Sequence, residues 1–184
     1  MSRYSHGLKR GLLAAVGIGL SAVAFAVTPD LSTRVQDTLD RFYAQSEKNR
    51  ELAQKAAAVL VFPRITKAGA GVAGKYGEGE LRVGDKSAGY YKITGASVGA
   101  TLGVGERSEV ILFMTPEARD KFISRKDWTI GADLGVAVAK KGVGREYDNE
   151  TLSKPVLGFV FGEKGLIADA SIEGAKLTRL PEAQ

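Results

Sequence analysis

The chain has 184 residues, with 26 basic and 21 acidic side chains, no cysteine and one histidine. Without cysteine the protein cannot form disulfides, use thiol chemistry or carry a lipid on a cysteine. The histidine is His6, in an N-terminal segment that we expect to be removed. The remaining chain would then also lack histidine-based catalytic triads, zinc sites and haem ligation.

The first 26 residues have the pattern of a secretory signal peptide. Three basic residues and no acidic residue precede an uncharged apolar stretch at 11–26, which ends in the small-x-small tripeptide Ala24-Phe25-Ala26. A membrane-spanning helix needs about 20 apolar residues, and this stretch is shorter. We expect cleavage between Ala26 and Val27, or two residues earlier, and a periplasmic or secreted protein that can be peripheral to a membrane. An uncleaved interfacial anchor is the alternative.

Removal of the signal peptide would lower the net charge of the chain. The basic residues fall by three, from 26 to 23, against 21 acidic residues, so the net charge falls from +5 to +2. Such a balance lacks the electrostatic footprint of a nucleic-acid-binding protein. We expect residues 27–184 to form a single domain, because the length suffices for one core and no long linker interrupts it.

Two helices are predicted at the start of this domain. Between residues 28 and 46, apolar residues recur at helical spacing, at Leu31, Val35, Leu39 and Phe42. A second helix is expected at 46–60, and Pro63 should end it, because a proline restricts the preceding residue. Both apolar stripes are expected to pack on a sheet.

From Ile65 onward the pattern alternates with a period of two, as in β-strands. The clearest segment is 95–105, where apolar residues alternate with glycine, serine and threonine, and 130–138 and 157–162 repeat the pattern. A continuous apolar run at 110–114 predicts a strand buried on both faces. Further strands are expected at 69–76, 80–83, 88–94 and 166–177, a short helix at 117–124, and a polar loop at 140–153.

The glycine content of the strands indicates how strongly the sheet is curved. Nineteen of the 23 glycines follow residue 26, and most fall within predicted strands. Glycine weakens a strand unless it serves a bulge, a tight bend or the close approach of another backbone. We therefore predict an α+β fold with a strongly curved or barrel-like, glycine-rich antiparallel sheet, two N-terminal helices and one short internal helix.

Few sequence motifs indicate a catalytic or cofactor-binding site. Residues 69–74 fit the G-x-G-x-x-G pattern, but the glycines that follow would not begin the helix that a dinucleotide site requires. Asp133 and Asp169 lie within predicted strands and could form an acid/base pair, which leaves a carboxylate hydrolase as a remote alternative. We expect no catalytic residues, no metal and no cofactor.

Basic residues give the candidate binding positions. Five of them flank the junction of the helices with the sheet and the neighbouring hairpins: Arg64, Lys67, Lys75, Arg82 and Lys92. Such a group could hold phosphate, although a solvated surface of mixed charge explains it equally well. With a net charge of +2, membrane binding would need apolar contact as well, because charge is screened within about 8 Å at physiological salt.

Several segments of the chain resemble the SYLF domain, a lipid-binding module of bacteria and of eukaryotic membrane-traffic and actin-patch proteins. They follow the family's order, at 56–63 (AAAVLVFP), 67–79 (KAGAGVAGKYGEG), 90–99 (YYKITGASVG), 134–142 (LGVAVAKKG) and 164–174 (KGLIADASIEG). Each motif is short, and their number and order carry the resemblance across about residues 50–180.

The resemblance implies a β-rich domain with flanking helices, binding of phospholipid or phosphoinositide, and no catalysis. Actin bundling by yeast members is not expected of an exported protein. The sequence thus predicts a non-enzymatic, lipid-binding or membrane-associating domain of the cell envelope. Its expected partners are a phospholipid or another anionic lipid and an envelope protein, but no nucleic acid. The alternative is a structural or protein-interaction module of the envelope.

Overall fold

The computed structural model of the chain describes residues 29–138, 149–165, 172 and 174–181. The signal-peptide prediction, including its cleavage site at Ala26 and Val27, lies outside these residues. The helices are α1 (Pro29–Gln45), α2 (Glu47–Lys55), α3 (Pro116–Ile123) and α4 (Asn149–Leu152). The strands are β1 (Ala58–Val83), β2 (Lys86–Phe113), β3 (Asp127–Thr129), β4 (Ala137–Val138), β5 (Val156–Gly165) and β6 (Lys176–Arg179).

Two long strands, β1 and β2, form one antiparallel ribbon with its turn at Gly84. The ribbon bends near its middle, where the register shifts between Ala70 and Val72 and where Gly71 and Gly103 have φ values of 75° and 115°. Past the bend, β1 packs against its own first half: a Cβ at Gly77 would lie 2.7 Å from the Arg64 carbonyl oxygen. The bend thus turns the ribbon into two layers, and we call this doubled hairpin the folded ribbon.

The other strands pair with the two halves of β2, which is therefore central. The order in the sheet is β3-β6-β2-β5-β4, with β1 also paired to β2. β5 pairs with the second half of β2 and β6 with its first half. All pairs are antiparallel except β4 with β5. The predicted α+β class and the curved, glycine-rich sheet are confirmed, with one short parallel pair added at its edge.

Two apolar cores stabilise this arrangement. The first lies inside the curved sheet and contains, among others, Leu60, Phe62, Ile93, Phe113, Phe122 and Trp128. The second lies between the helices and the outer face of the sheet, where Leu31, Val35, Leu39 and Phe42 of α1 pack against β1, β2 and β5. The predicted stripe of the first helix is confirmed, since all four side chains are buried.

The prediction for the second helix is wrong at its end. Helix α2 stops at Lys55, Ala56 has an extended backbone, and β1 begins at Ala58. The β-branched residues Val59 and Val61 pair with the end of β2, and this tertiary pairing outweighs a helical continuation of the alanine run.

The predicted strand at 130–138 is also wrong over most of its length. Ile130 and Leu134 form only an isolated bridge around a turn in which Gly131 has a φ of 94°, and only Ala137–Val138 is a strand. Most of the predicted strand at 166–177 lies outside the described residues. Helix α4 occupies the end of the predicted loop at 140–153, most of which also lies outside them.

Candidate functional site

A groove between α1 and the start of the folded ribbon collects three arginines. It has a volume of about 340 Å³ and is lined by Arg34, Asp37, Thr38, Arg41, Pro63 and Arg64. The α1 residues recur at helical spacing and so share one face of the helix. Pro63 and Arg64 lie where the β1 register shifts, at a bulge that suits a proline inside a strand. We call this feature the arginine groove.

Arg41 is held in place by neutral partners. Its Nη2 donates to Thr38 Oγ1 at 3.0 Å and to Ser108 Oγ at 3.2 Å, and its guanidinium lies 5.9 Å from the Phe161 ring centroid. The two hydroxyls in turn donate to backbone carbonyls, Thr38 to Arg34 and Ser108 to Pro63, at 2.8 Å each. None of these partners carries a negative charge, so the side chain is oriented without being neutralised.

Two acidic side chains lie in or beside the groove. Arg64 Nε lies 3.6 Å from Glu106 Oε2, and both side chains are well exposed, at 64% and 40%. An exposed pair of this kind contributes at most about 1 kcal/mol. Asp37 is exposed and places one carboxylate on the wall. The wall therefore contains three arginines and one carboxylate, and a second carboxylate lies at its margin.

Lys67 and Lys75, also predicted to bind lipid, lie inside the folded ribbon. Lys67 is 8% exposed and the Lys75 side chain 9%. Lys75 Nζ is 3.5 Å from Glu109 Oε1, which also accepts hydrogen bonds of 2.9 and 2.6 Å from the Arg107 guanidinium. Lys67 and Arg107 also line a cavity of about 10 Å³, which has room for about one water molecule. This interior position suits a structural charge cluster better than a lipid site.

The two remaining predicted residues, Arg82 and Lys92, lie elsewhere. Arg82 donates to Gln36 Oε1 at 2.7 Å and to the Ser32 carbonyl at 3.1 Å, and so joins α1 to the second half of β1. Lys92 is half-buried in β2, opposite Thr178 of β6. The five basic residues are thus not brought together, and Arg64 alone of them lines the arginine groove. Their role in binding stays a prediction.

A second feature is an apolar surface at the bend of the folded ribbon. Among the side chains that the structure describes, the large hydrophobic ones left exposed are Val72, Tyr76 and Val104, at 60%, 46% and 61%. Val104 pairs with the exposed Ala68 on β1, and the two halves of β1 meet at Gly69 and Ala73. We call residues 68–76 together with Gly103 and Val104 the ribbon tip.

The Tyr76 hydroxyl has a defined partner at the ribbon tip. It donates to Glu78 Oε1 at 2.6 Å. Partial burial and the Glu78 carboxylate raise the pKa of Tyr76 to about 12. The phenol therefore stays neutral at physiological pH, with its hydroxyl directed at the Glu78 carboxylate.

A second basic groove, of about 290 Å³, includes Arg125, Lys126 and Arg179. Here both arginines already have partners within the protein. Arg125 lies 4.4 Å from the Trp128 ring centroid and 3.7 Å from Asp133 Oδ1, and Arg179 Nη2 donates to the Ala88 carbonyl at 3.4 Å. This groove is therefore the weaker candidate for an anion.

The carboxylates considered for hydrolysis cannot be compared as a pair, because Asp169 lies outside the described residues. Asp133 is exposed in a turn, where it accepts a hydrogen bond of 2.9 Å from the Thr129 amide. That backbone hydrogen bond, with Arg125 nearby, lowers the pKa of Asp133, so the group is a stable carboxylate and a poor proton donor. The described residues contain no cluster of potential metal ligands.

Sequence reasoning missed Arg34 and Arg41. Their spacing of seven residues places both on one face of a predicted helix, and that was the available signal. Their convergence with Arg64 depends on tertiary structure, because Ser108, which holds Arg41, is 67 residues away in the chain.

Comparison with known proteins gives one match. Residues 94–183 fit the family model described as Ysc84: Las17-binding protein actin regulator, which confirms the resemblance to the SYLF domain. No curated protein sequence matches the chain. At the level of the family, the match supports a membrane-associated module that interacts with lipid or protein. In the described part of the chain, no helix is both long and apolar enough to cross a bilayer.

Proposed function

We propose, proceeding from the SYLF domain that this chain carries in residues 94–183, that the protein is exported and binds lipid at the surface of an envelope membrane, without catalysing a reaction. The observation that carries the proposal is the ribbon tip, which contains the large hydrophobic side chains left exposed among those that the structure describes. Export rests on the N-terminal pattern of three basic residues, an apolar stretch and a small-x-small site.

The ribbon tip has the chemistry of a shallow membrane contact. Single exposed hydrophobic side chains are common on soluble proteins, whereas a cluster on one projecting bend marks an interaction surface. Tyrosine suits the boundary between lipid and water, because its ring is apolar and its hydroxyl is polar. Transfer of Val72 and Val104 from water into the interface would contribute on the order of 2–4 kcal/mol, enough for reversible binding.

Vesicle co-sedimentation tests the proposal. The intact mass of the protein recovered after expression is measured first. A chain that begins at Val27 supports export, whereas an unprocessed cytoplasmic chain contradicts it. We expect this form to bind phosphatidylcholine vesicles and Val72→Ser/Val104→Ser to bind at least about tenfold more weakly, because the apolar contribution is lost.

The control is Ala44→Ser/Ala132→Ser, which also replaces two exposed apolar side chains by serine, at positions outside the ribbon tip. Circular dichroism checks that all variants are folded. All the proteins compared begin at the same residue, so that a retained apolar leader cannot account for a difference in vesicle binding. Equal binding by the two double variants would contradict a membrane contact at the ribbon tip.

A protein-interaction module is the second candidate, because the printed description of the matched family names binding to a protein. The ribbon tip could then contact a protein surface instead of lipid. Absence of vesicle binding by the wild-type chain, at every headgroup composition tested, would favour this candidate over the lipid-binding one.

A further inference from the structure

We infer that the arginine groove is a binding site for a phosphate group, with Arg41 as its fixed ligand and Arg34 and Arg64 closing around the same anion. The ligand class is a phosphate monoester or diester, carried either by a lipid headgroup or by a small soluble molecule. The site lies apart from the ribbon tip, and all three arginines lie outside the residues that match the family model.

The first argument is the fixed orientation of Arg41. Two hydroxyls, the Phe161 ring and the backbone at Gly162 surround its guanidinium; a Cβ at Gly162, where φ is 67°, would lie 3.5 Å from Arg41 Nη1. Because Nη2 donates to the two hydroxyls, an anion would accept from Nε and Nη1, and a planar guanidinium held in one orientation loses little further side-chain freedom on binding.

The second argument is charge. In the part of the chain that the structure describes, Arg41 makes no ion pair with a carboxylate, and its partners there are neutral. Arg64 is held only by an exposed, 3.6 Å contact with Glu106, which it can exchange for an anion in the groove. The second basic groove differs, because Arg125 there already contacts Asp133 and Trp128. The arginine groove thus offers an incoming anion the guanidinium of Arg41, which pairs with no carboxylate of the described residues.

The third argument is size. The volume of about 340 Å³ lies at the lower end of the range for small-molecule sites, about 300–1,000 Å³. It accommodates a phosphate with a short polyol, such as a glycerol phosphate headgroup. The open mouth between the helix and the ribbon lets the rest of a larger ligand remain outside.

The test is a titration of the full chain with inorganic phosphate and with glycerol 3-phosphate, followed by calorimetry at low ionic strength. We expect Arg41→Gln to lower the affinity at least about tenfold, since hydrogen bonds between charged partners are lost. Arg41→Lys should recover only part of it, because a flexible lysine ammonium cannot reproduce the planar, oriented set of donors of the guanidinium. Asp37→Asn should raise the affinity about twofold to fivefold, because a repulsive charge leaves the wall.

Arg50→Gln is the matched control, because it removes one exposed arginine of α2 that does not line the groove. We expect it to bind both phosphates as the wild-type chain does. Arg41→Gln must keep its circular dichroism spectrum; if it unfolds, the gain at Asp37→Asn provides the same test on a folded protein. No phosphate binding by the wild-type chain, or equal losses in Arg41→Gln and Arg50→Gln, would overturn the site.

Vesicles distinguish the two sources of the phosphate. If the ligand is a lipid headgroup, phosphatidic acid in phosphatidylcholine vesicles should strengthen wild-type binding, and Arg41→Gln should abolish that gain. If the gain is the same in both proteins while the soluble phosphates still distinguish them, the site binds a soluble phosphate ester. Failure of this site leaves the proposed membrane contact intact, because binding to pure phosphatidylcholine depends on the ribbon tip and not on the arginine groove.

Discussion

At the scale of single residues, Glu109 gives a structural explanation for Lys75, one of the lysines predicted to bind lipid. Its side chain is 1% exposed, and Oε1 lies within 3.5 Å of both Lys75 and Arg107. Its Oε2 is buried and accepts no hydrogen bond from the described residues. Charges withdrawn from water in this way are tolerated only when they are paired, so the carboxylate holds the cations inside the folded ribbon.

Replacement of Glu109 should therefore be severe. We expect Glu109→Gln to lower the free energy of unfolding by about 3–5 kcal/mol, because it leaves buried cations without their carboxylate. Urea denaturation measures the effect. The control is Glu106→Gln, which removes a carboxylate on the same strand from an exposed pair and should cost less than about 1 kcal/mol. Similar, small losses in both variants would show that the interior cluster contributes little.

At the scale of elements, the folded ribbon depends on glycine at defined positions. Gly77 and Gly79 lie on the face of β1 that packs against the strand's own first half, where a Cβ would meet backbone atoms of Arg64 and Val61. Gly74, three residues from Gly77, has open space within 4 Å and does not need a positive φ. The strand therefore contains both a required and a replaceable glycine.

This difference can be measured by substituting alanine at the two positions. Gly77→Ala should lower the free energy of unfolding by about 1–3 kcal/mol, because the added methyl overpacks a backbone contact at 2.7 Å. Gly74→Ala should be neutral or raise it by up to about 1 kcal/mol, since alanine restricts the unfolded chain. Denaturant midpoints report both changes. If Gly77→Ala were as stable as Gly74→Ala, the two halves of β1 could not be packed as described.

At the scale of the whole molecule, local sequence patterns predicted the structural features that depend on residues close together in the chain. The stripe of α1 and the curvature of the sheet followed from periodicity and from glycine content. The sequence could not predict that 58–83 and 86–113 are two continuous strands, because the contact between Gly77 and Arg64 arises only when the ribbon folds over. For the same reason Lys67 and Lys75 resembled surface residues.

The residues of the candidate site also divide into those that the sequence predicted and those that it missed. Arg64 was predicted because it flanks the junction of helix and sheet, and it does line the arginine groove. Arg34 and Arg41 were missed because the groove forms only when α1 packs across β1 and Ser108 reaches Arg41. The ribbon tip could not be separated from core strands, since Val72 and Val104 continue the alternation of buried segments and are exposed only by the bend.

The central claim is that the ribbon tip enters the membrane interface, and a single fluorescent probe tests it most directly. Because the chain has no cysteine, Val72→Cys can be labelled at that position alone with an environment-sensitive dye, and Ala132→Cys, exposed on a turn outside the ribbon tip, is the control. On addition of phosphatidylcholine vesicles, we expect the dye at position 72 to shift to the blue and to become protected from an aqueous quencher, while the dye at position 132 stays unchanged. Equal responses at the two positions, or no response at position 72 when the protein is vesicle-bound, would contradict the account.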